Sequence, residues 1–198
     1  MAELTVENLH KRYGRTVALE DVSFAVAEGE LFGLLGPNGA GKSTLISILS
    51  CLMPATAGSA RLLGEELSPD NRAVRRGIGI VPQDLALYGD LSARENLTFF
   101  GRLYGLRGPE LRQRVDELLA AVALTDRAGD RVATFSGGMK RKLEIVRSLM
   151  HRPRVLFLDE PTSGLDAASR RDRSATLAVV KTCHRQIGSR ITRENLFD

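Results

Sequence analysis

The chain has 198 residues, 43% of them hydrophobic and 26% charged, which is enough for one globular domain with a sizeable core. No window approaches the ~18 consecutive apolar residues that a membrane-spanning helix requires. Its formal net charge is +4, yet residues 1–166 hold 21 Lys/Arg against 21 Asp/Glu and residues 167–198 hold 7 against 3. The basic character sits in the tail and does not mark nucleic acid or an anionic surface as the main domain's ligand.

The N-terminus has no positive n-region followed by an apolar h-region. Two cysteines, Cys51 and Cys183, are too few for a disulfide framework or a zinc site. A cytosolic protein is expected. Leu4, Val6 and Leu9, then Val22, Phe24 and Val26, give two runs of strand period separated by a short loop. Tyr13 lies in that loop. It either stacks on a flat ring such as a base or simply closes the hairpin.

Residues 31–44 read LFGLLGPNGAGKST. An apolar run predicts a buried strand, the glycines Gly36, Gly39 and Gly41 a loop, and Lys42, Ser43 and Thr44 the start of a helix carrying Leu45, Ile46, Ile48 and Leu49. Gly36, Gly41, Lys42 and Ser43 satisfy GxxxxGK[ST], the P-loop spacing. There, the backbone of the loop, here Gly36, Pro37, Asn38, Gly39, Ala40 and Gly41, turns its N–H groups, which Pro37 alone lacks, toward phosphate oxygens and leads into a helix N-terminus. Glycine is required where a Cβ would obstruct the approach of backbone to phosphate. Lys42 is expected to reach the β- and γ-phosphates and the Ser43 hydroxyl to ligate Mg²⁺.

A short strand is predicted after the Pro- and Gly-containing turn at 54–59, a helix start at Asp70 and Asn71, and a buried strand over Ile78–Val81. Gln83 follows that strand's end, where ligands gather in open α/β sheets, so it is placed to reach a metal or an attacking water. Ser92 and Glu95 form a capping box ahead of a helix with Leu97, Phe100, Leu103 and Tyr104 on one face. A second helix runs from Pro109 to about Ala123. The stripe Phe99, Phe100, Tyr104 is either subdomain core or a docking face. Ser136, Gly137 and Gly138 open a further helix and make a second anion site of the same physical kind as the P-loop.

Val155, Leu156, Phe157 and Leu158 form an apolar strand ending in Asp159 and Glu160. Two carboxylates there, after a P-loop, form a Walker B arrangement: Asp159 holds Mg²⁺ and Glu160 polarises the attacking water. A turn at 163–166 leads into a helix expected near 167–180.

The motifs GPNGAGKST (36–44), Gln83, SGGMK (136–140), VLFLDE (155–160) and SGLD (163–166), in this order, resemble the nucleotide-binding domain of an ABC ATPase over residues 1 to about 172. The stretches 81–106 and 135–166 are similar to ATP-binding subunits of multidrug and antibiotic-resistance exporters. The resemblance implies an α/β P-loop NTPase fold: a RecA-like core, an N-terminal antiparallel β-subdomain, and an inserted α-helical subdomain at about 84–150. It implies an ATPase that takes ATP and Mg²⁺, with Tyr13 stacking on adenine, Gln83 linking the metal site to a membrane partner, and Glu160 as the catalytic carboxylate. Ser136, Gly137 and Gly138 then complete the site of the opposite copy in a head-to-tail homodimer. The implied partner is a separate transmembrane permease, with no nucleic acid, and the implied location is cytoplasmic, on the inner face of the cell membrane. Residues 173–198 depart from the family as a divergent basic tail. They have no continuous apolar strand, and the only downstream histidine, His184, falls short of the family's switch position. The expected C-terminus is therefore truncated or divergent. The alternatives are a truncated ABC domain that binds ATP with little hydrolysis, and a soluble, non-transport ABC ATPase.

Overall fold

The structure, a computed structural model, describes residues 2–37, 39–159 and 176–182. The chain divides into two compact units: one of residues up to Gln83 together with 154–159 and 176–182, the other running from Asp84 to Pro153.

The first unit contains β1 (Ala2–Tyr13), β2 (Thr16–Ala27), β3 (Leu31–Gly36), α1 (Lys42–Leu49), β4 (Ala57–Leu62), β5 (Glu65–Glu66), α2 (Arg72–Arg75), β6 (Ile78–Val81), β7 (Val155–Asp159) and β8 (Thr176–Thr182). One sheet is antiparallel with order β2-β1-β4-β5. In β1 the alternation that buries Leu4 and Val6 would send Leu9 outward. A register shift between Val6 and Leu9, with Asn8 at φ 45°, changes the phase and buries Leu9 as well. Gly58 is the reason the bulge fits: a Cβ there would stand 2.5 Å from the Asn8 carbonyl carbon.

The second sheet has order β3-β8-β7-β6, with β6 and β7 parallel and β8 antiparallel to both its neighbours. A single core joins the two sheets to α1 through Leu4, Leu9, Leu45, Leu49, Leu62, Val155 and Phe157. Each fully buried leucine there contributes about 1.5–3 kcal/mol. Phe24 and Phe32 stack at 4.8 Å on the rim of that core.

Two expectations are corrected here. The apolar run 31–35 predicts a strand buried on both faces, but β3 alternates, with Leu31 62% and Leu35 72% exposed. β3 ends its sheet, and its pleat turns Phe32 and Leu34 toward the core and the odd-numbered residues away from it. The tail is expected to supply a helix near 167–180 and no strand. Instead Thr176–Thr182 lies as β8 between β3 and β7. Its sequence, TLAVVKT, is rich in β-branched residues, and the ladders of both neighbours outweigh the local helical pattern. The remaining residues of that segment, with the turn at 163–166, Cys183 and His184, lie outside the described residues, as do Asn38 and Glu160.

The second unit is helical: α3 (Ala93–Leu103), α4 (Gly108–Ala121) and α5 (Gly137–Ser148), with single 3-10 turns at Thr125–Arg127 and Val132–Thr134. Ser92 accepts from the Glu95 N–H at 3.2 Å and Glu95 accepts from the Ser92 N–H at 2.8 Å, the reciprocal box expected from sequence. The helices close on buried Leu97, Leu111, Val115, Leu118, Leu143, Val146 and Met150. Buried Asn96 holds the loop before α3, accepting from the Tyr88 N–H at 2.9 Å and donating to the Tyr88 carbonyl at 3.0 Å.

The aromatic stripe divides its roles. Phe100 is partly buried beneath the Arg147 guanidinium at 4.4 Å, while Phe99 and Tyr104 are 39% and 46% exposed. Tyr104 stacks on His151 at 3.9 Å. Sequence reading did not find that α5 buries charge as well as leucines: Glu144 is wholly buried and accepts from Arg147 at 2.5 Å.

Candidate functional site

The loop after β3 has the backbone that its glycines predict. Gly39 and Gly41 adopt φ 84° and 82°, and the Ala40 N–H donates to the Pro37 carbonyl at 3.2 Å. At Gly36 a Cβ would stand 3.3 Å from that of Ala40, so the two limbs of the loop close tightly. Gly41 is the N-cap of α1 and offers no side chain, and the first turn carries no acid. The helix therefore begins with unsatisfied N–H groups and the positive end of its dipole, the arrangement that binds a phosphate oxygen. A Cβ on Gly41 would also run into the Ala18 carbonyl oxygen and come within 2.8 Å of the Leu19 side chain. The loop is thus backed by β2, a contact that no local sequence signal announces.

Lys42 is folded back over this loop. Its ammonium donates to the carbonyls of Gly36 and Pro37, each at 2.7 Å. The positive charge is held at the loop mouth by neutral acceptors, which a phosphate oxygen, carrying full charge, outcompetes. Ser43 and Gly39 are exposed beside it, and Thr44 is half-buried.

The sheet registers gather the other residues of the core. β6 and β7 are parallel with Val81 opposite Leu158, so Pro82 and Gln83 leave the sheet beside Asp159. Across β8, Ala178 pairs with both Leu34 and Asp159, and Gly36 lies two residues beyond Leu34. Two strand spacings and two residues of rise separate the start of the P-loop from Asp159 by roughly 12 Å. The P-loop, Gln83 and Asp159 thus share one end of one sheet. Gln83 is exposed and Asp159 partly buried.

The donor set for a cation is a hydroxyl (Ser43), a carboxylate (Asp159) and an amide (Gln83), all hard oxygen ligands suited to Mg²⁺. No group of His, Cys, Asp and Glu among the described residues could hold a metal by itself. These residues fit a cation that arrives with its phosphates.

Tyr13 pairs with Thr16 at the hairpin end and so closes the turn, yet its ring is 48% exposed. Its hydroxyl donates to the Met53 sulfur at 3.0 Å, and the Lys11 ammonium lies 5.2 Å from the ring centre. Both readings of this residue are compatible with the placement.

In the helical unit, Ser136 is the N-cap of α5 and accepts from the Met139 N–H at 3.2 Å. Buried Phe135 anchors the approach, with the Arg127 guanidinium 5.7 Å from its ring. No acid occupies the first turn, and a Cβ on Gly137 would meet nothing within 4 Å. Among the described residues, no contact therefore requires glycine at 137.

Comparison with known proteins adds independent findings. The family model described as ABC transporter matches residues 19–163. The linearmycin resistance ATP-binding protein LnrL of Bacillus subtilis is 48% identical over 167 residues, covering 84% of this chain and 54% of that protein. The doxorubicin resistance ATP-binding protein DrrA of Mycobacterium tuberculosis is 47% identical over 169 residues, covering 84% and 51%. The chain thus spans about half the length of these curated relatives. Among solved structures, cbiO1 from Clostridium perfringens, part of the ABC transporter complex cbiONQ, superposes with a TM-score of 0.76 at 30% identity, covering 83% of this chain and 68% of that one.

Proposed function

The chain belongs to the ABC transporter family, and on that premise we propose that it is the ATP-binding subunit of an exporter, hydrolysing MgATP to drive movement in a separate membrane permease. The observation that carries this reading is Lys42 held by the Gly36 and Pro37 carbonyls over an uncapped helix start. Gln83 and Asp159 lie at the same sheet end.

ATP enters with its phosphates against the backbone of residues 36–44. Lys42 exchanges its two carbonyl partners for β- and γ-phosphate oxygens, so charge replaces a neutral acceptor at little reorganisation cost. Ser43 and Asp159 would hold Mg²⁺, which would supply charge neutralisation on the phosphates. Gln83 would reach that cation or the attacking water, which Glu160 would polarise. Tyr13 gives the adenine ring a flat face. Ser136, Gly137 and Gly138 of a second copy approach the γ-phosphate, which accounts for a glycine that no contact among the described residues requires. Binding between two copies draws them together, and hydrolysis releases them. The subunit works at the inner face of the cell membrane through its permease. Among the described residues no helix is long and apolar enough to cross a membrane. The names of the relatives point to export of antibiotic-like compounds.

A second reading is that the chain binds ATP but turns it over slowly, because the tail that follows Asp166 departs from the family and its one histidine, His184, falls short of the switch position. Thermal melts and phosphate release, each with and without MgATP, test both readings. Binding only to the native state raises the melting midpoint, by about 2.7 kcal/mol of added stability at a hundredfold excess over Kd. A raised midpoint with steady phosphate release supports the first reading, and a raised midpoint with none supports the second. No shift with ATP overturns both.

A further inference from the structure

The helical unit carries a second cationic feature that none of the nucleotide machinery uses. A cavity of about 650 Å³ opens between the second half of α3 and the start of α4, lined by Thr98, Arg102, Arg107, Gly108, Leu111 and Arg112. We propose that this cavity is a binding site for a phosphate-bearing anion.

Three arginines face one cavity with no carboxylate among its lining residues. None of the three takes part in an ion pair. Of the acids on α4, Glu110 stands in the first turn outside the cavity lining, and the other two are committed elsewhere. Asp116, one helical turn beyond Arg112, pairs with Arg94 at 2.7 Å, and Glu117 accepts from Gln113 at 3.0 Å and Arg114 at 3.4 Å. Like charges gathered without a counter-ion repel one another, and a bound anion relieves that repulsion.

The chemistry of the walls selects the anion. A guanidinium offers a planar fork of donors that matches two oxygens of one phosphate. Thr98 adds a hydroxyl donor. Arg107 caps α4 with no side-chain hydrogen bond, so the positive end of a 14-residue helix lies at the same place, offset in part by Glu110 in its first turn. Gly108 stands there at φ 55°, and a Cβ on it would meet nothing within 4 Å. Leu111, 5% exposed, gives the floor an apolar surface. The volume exceeds what an inorganic phosphate fills, leaving room for the organic group of an ester.

The shared chemistry is a phosphate group, supplied either by a soluble phosphate compound or by a phospholipid headgroup, and the test separates them. The full chain carrying Lys42→Ala, so that the P-loop does not take the probe, is titrated calorimetrically with pyrophosphate. It is also floated with phosphatidylcholine vesicles with and without phosphatidylglycerol. The comparison protein adds Arg102→Gln, Arg107→Gln and Arg112→Gln, all at exposed positions. Should the triple variant fail to melt cooperatively, the three single variants are measured in its place.

The expected result is pyrophosphate binding weakened at least ~10-fold by the substitutions, about the effect of losing one charge-assisted contact. Flotation that needs phosphatidylglycerol and is lost in the variant assigns the site to a headgroup. Pyrophosphate binding without flotation assigns it to a soluble phosphate. Absence of binding to both probes, or binding that the substitutions leave unchanged, overturns the proposal.

Discussion

The Lys42 ammonium lies 2.7 Å from the carbonyl oxygen of Gly36, at the other end of the same loop. One residue thus ties the two ends of the loop together and carries the charge a nucleotide needs, and the two roles separate under mutation. Lys42→Ala removes hydrogen bonds worth about 1 kcal/mol in total at a half-exposed site, so the melting midpoint without nucleotide falls little. The same variant loses the rise in midpoint that MgATP produces. Melts of parent and variant across an ATP series check this, and an undiminished rise in the variant refutes the role given to Lys42.

The glycines of the loop are not equivalent. Gly39→Ala meets no atom within 4 Å and introduces only the strain of φ 84°, about 1 kcal/mol. Gly41→Ala adds to similar strain at φ 82° a collision with the Ala18 carbonyl and the Leu19 side chain, for a total of about 2–4 kcal/mol. Denaturant melts should order them parent, Gly39→Ala, Gly41→Ala. Equal stabilities would show that β2 does not support the loop.

These contrasts mark what was legible in the sequence. The strand, glycine loop and helix start at 31–44, the Ser92–Glu95 box and the Ser136 cap are local patterns, set by residues a few positions apart, and the structure forms each of them. The backing of Gly41 by Ala18 joins residues far apart in sequence, and no periodicity encodes it. The run 31–35 looks buried because side-chain apolarity does not say which strand ends a sheet. The strand β8 was missed because its slot between β3 and β7 is a tertiary property, whereas the local pattern at 167–180 is helical. The residue types at 136–138 give a helix N-terminus, but the open space beside Gly137 appears only when a Cβ is placed on it.

Inside α5, Glu144 is wholly buried and paired with Arg147, whose guanidinium lies over Phe100. Glu144→Ala leaves that guanidinium without its counter-ion and should cost about 3–5 kcal/mol. Replacing both residues with apolar ones of similar volume, Glu144→Leu with Arg147→Met, should cost much less, because no uncompensated charge remains. A double-mutant cycle by urea denaturation measures the coupling. Additive effects would mean that the pair is not an interacting unit.

The Glu95 carboxyl is held below its ordinary value by hydrogen bonds from the Ser92 N–H and hydroxyl. A carboxyl depressed in the folded state contributes stability that is present above its unfolded value and is lost as pH falls through the folded one. The advantage of the parent over Glu95→Gln should therefore be full at neutral pH and fade through the acidic carboxylate range. Ser92→Ala, which removes the cap itself, should cost about 1 kcal/mol at neutral pH. Midpoints of the three proteins across pH check the direction, and an advantage that grows on acidification contradicts it.

If β8 is part of the nucleotide-binding core, breaking it must damage a site to which it contributes no proposed ligand. Val179 pairs with Gly33 on one side and Leu158 on the other, so its backbone lies inside the sheet. Proline at 179 removes one ladder donor and leaves a facing carbonyl in the sheet without its partner, about 2–4 kcal/mol together. The loss falls between the strand that ends in the P-loop and the strand that ends in Asp159. Val179→Pro should therefore lower the melting midpoint and weaken ATP binding together, whereas Lys42→Ala weakens binding with little change in the nucleotide-free midpoint. Equilibrium binding and melts on both variants distinguish the two patterns. If Val179→Pro binds and melts like the parent, the tail is an appendage, and the core of the site closes without it.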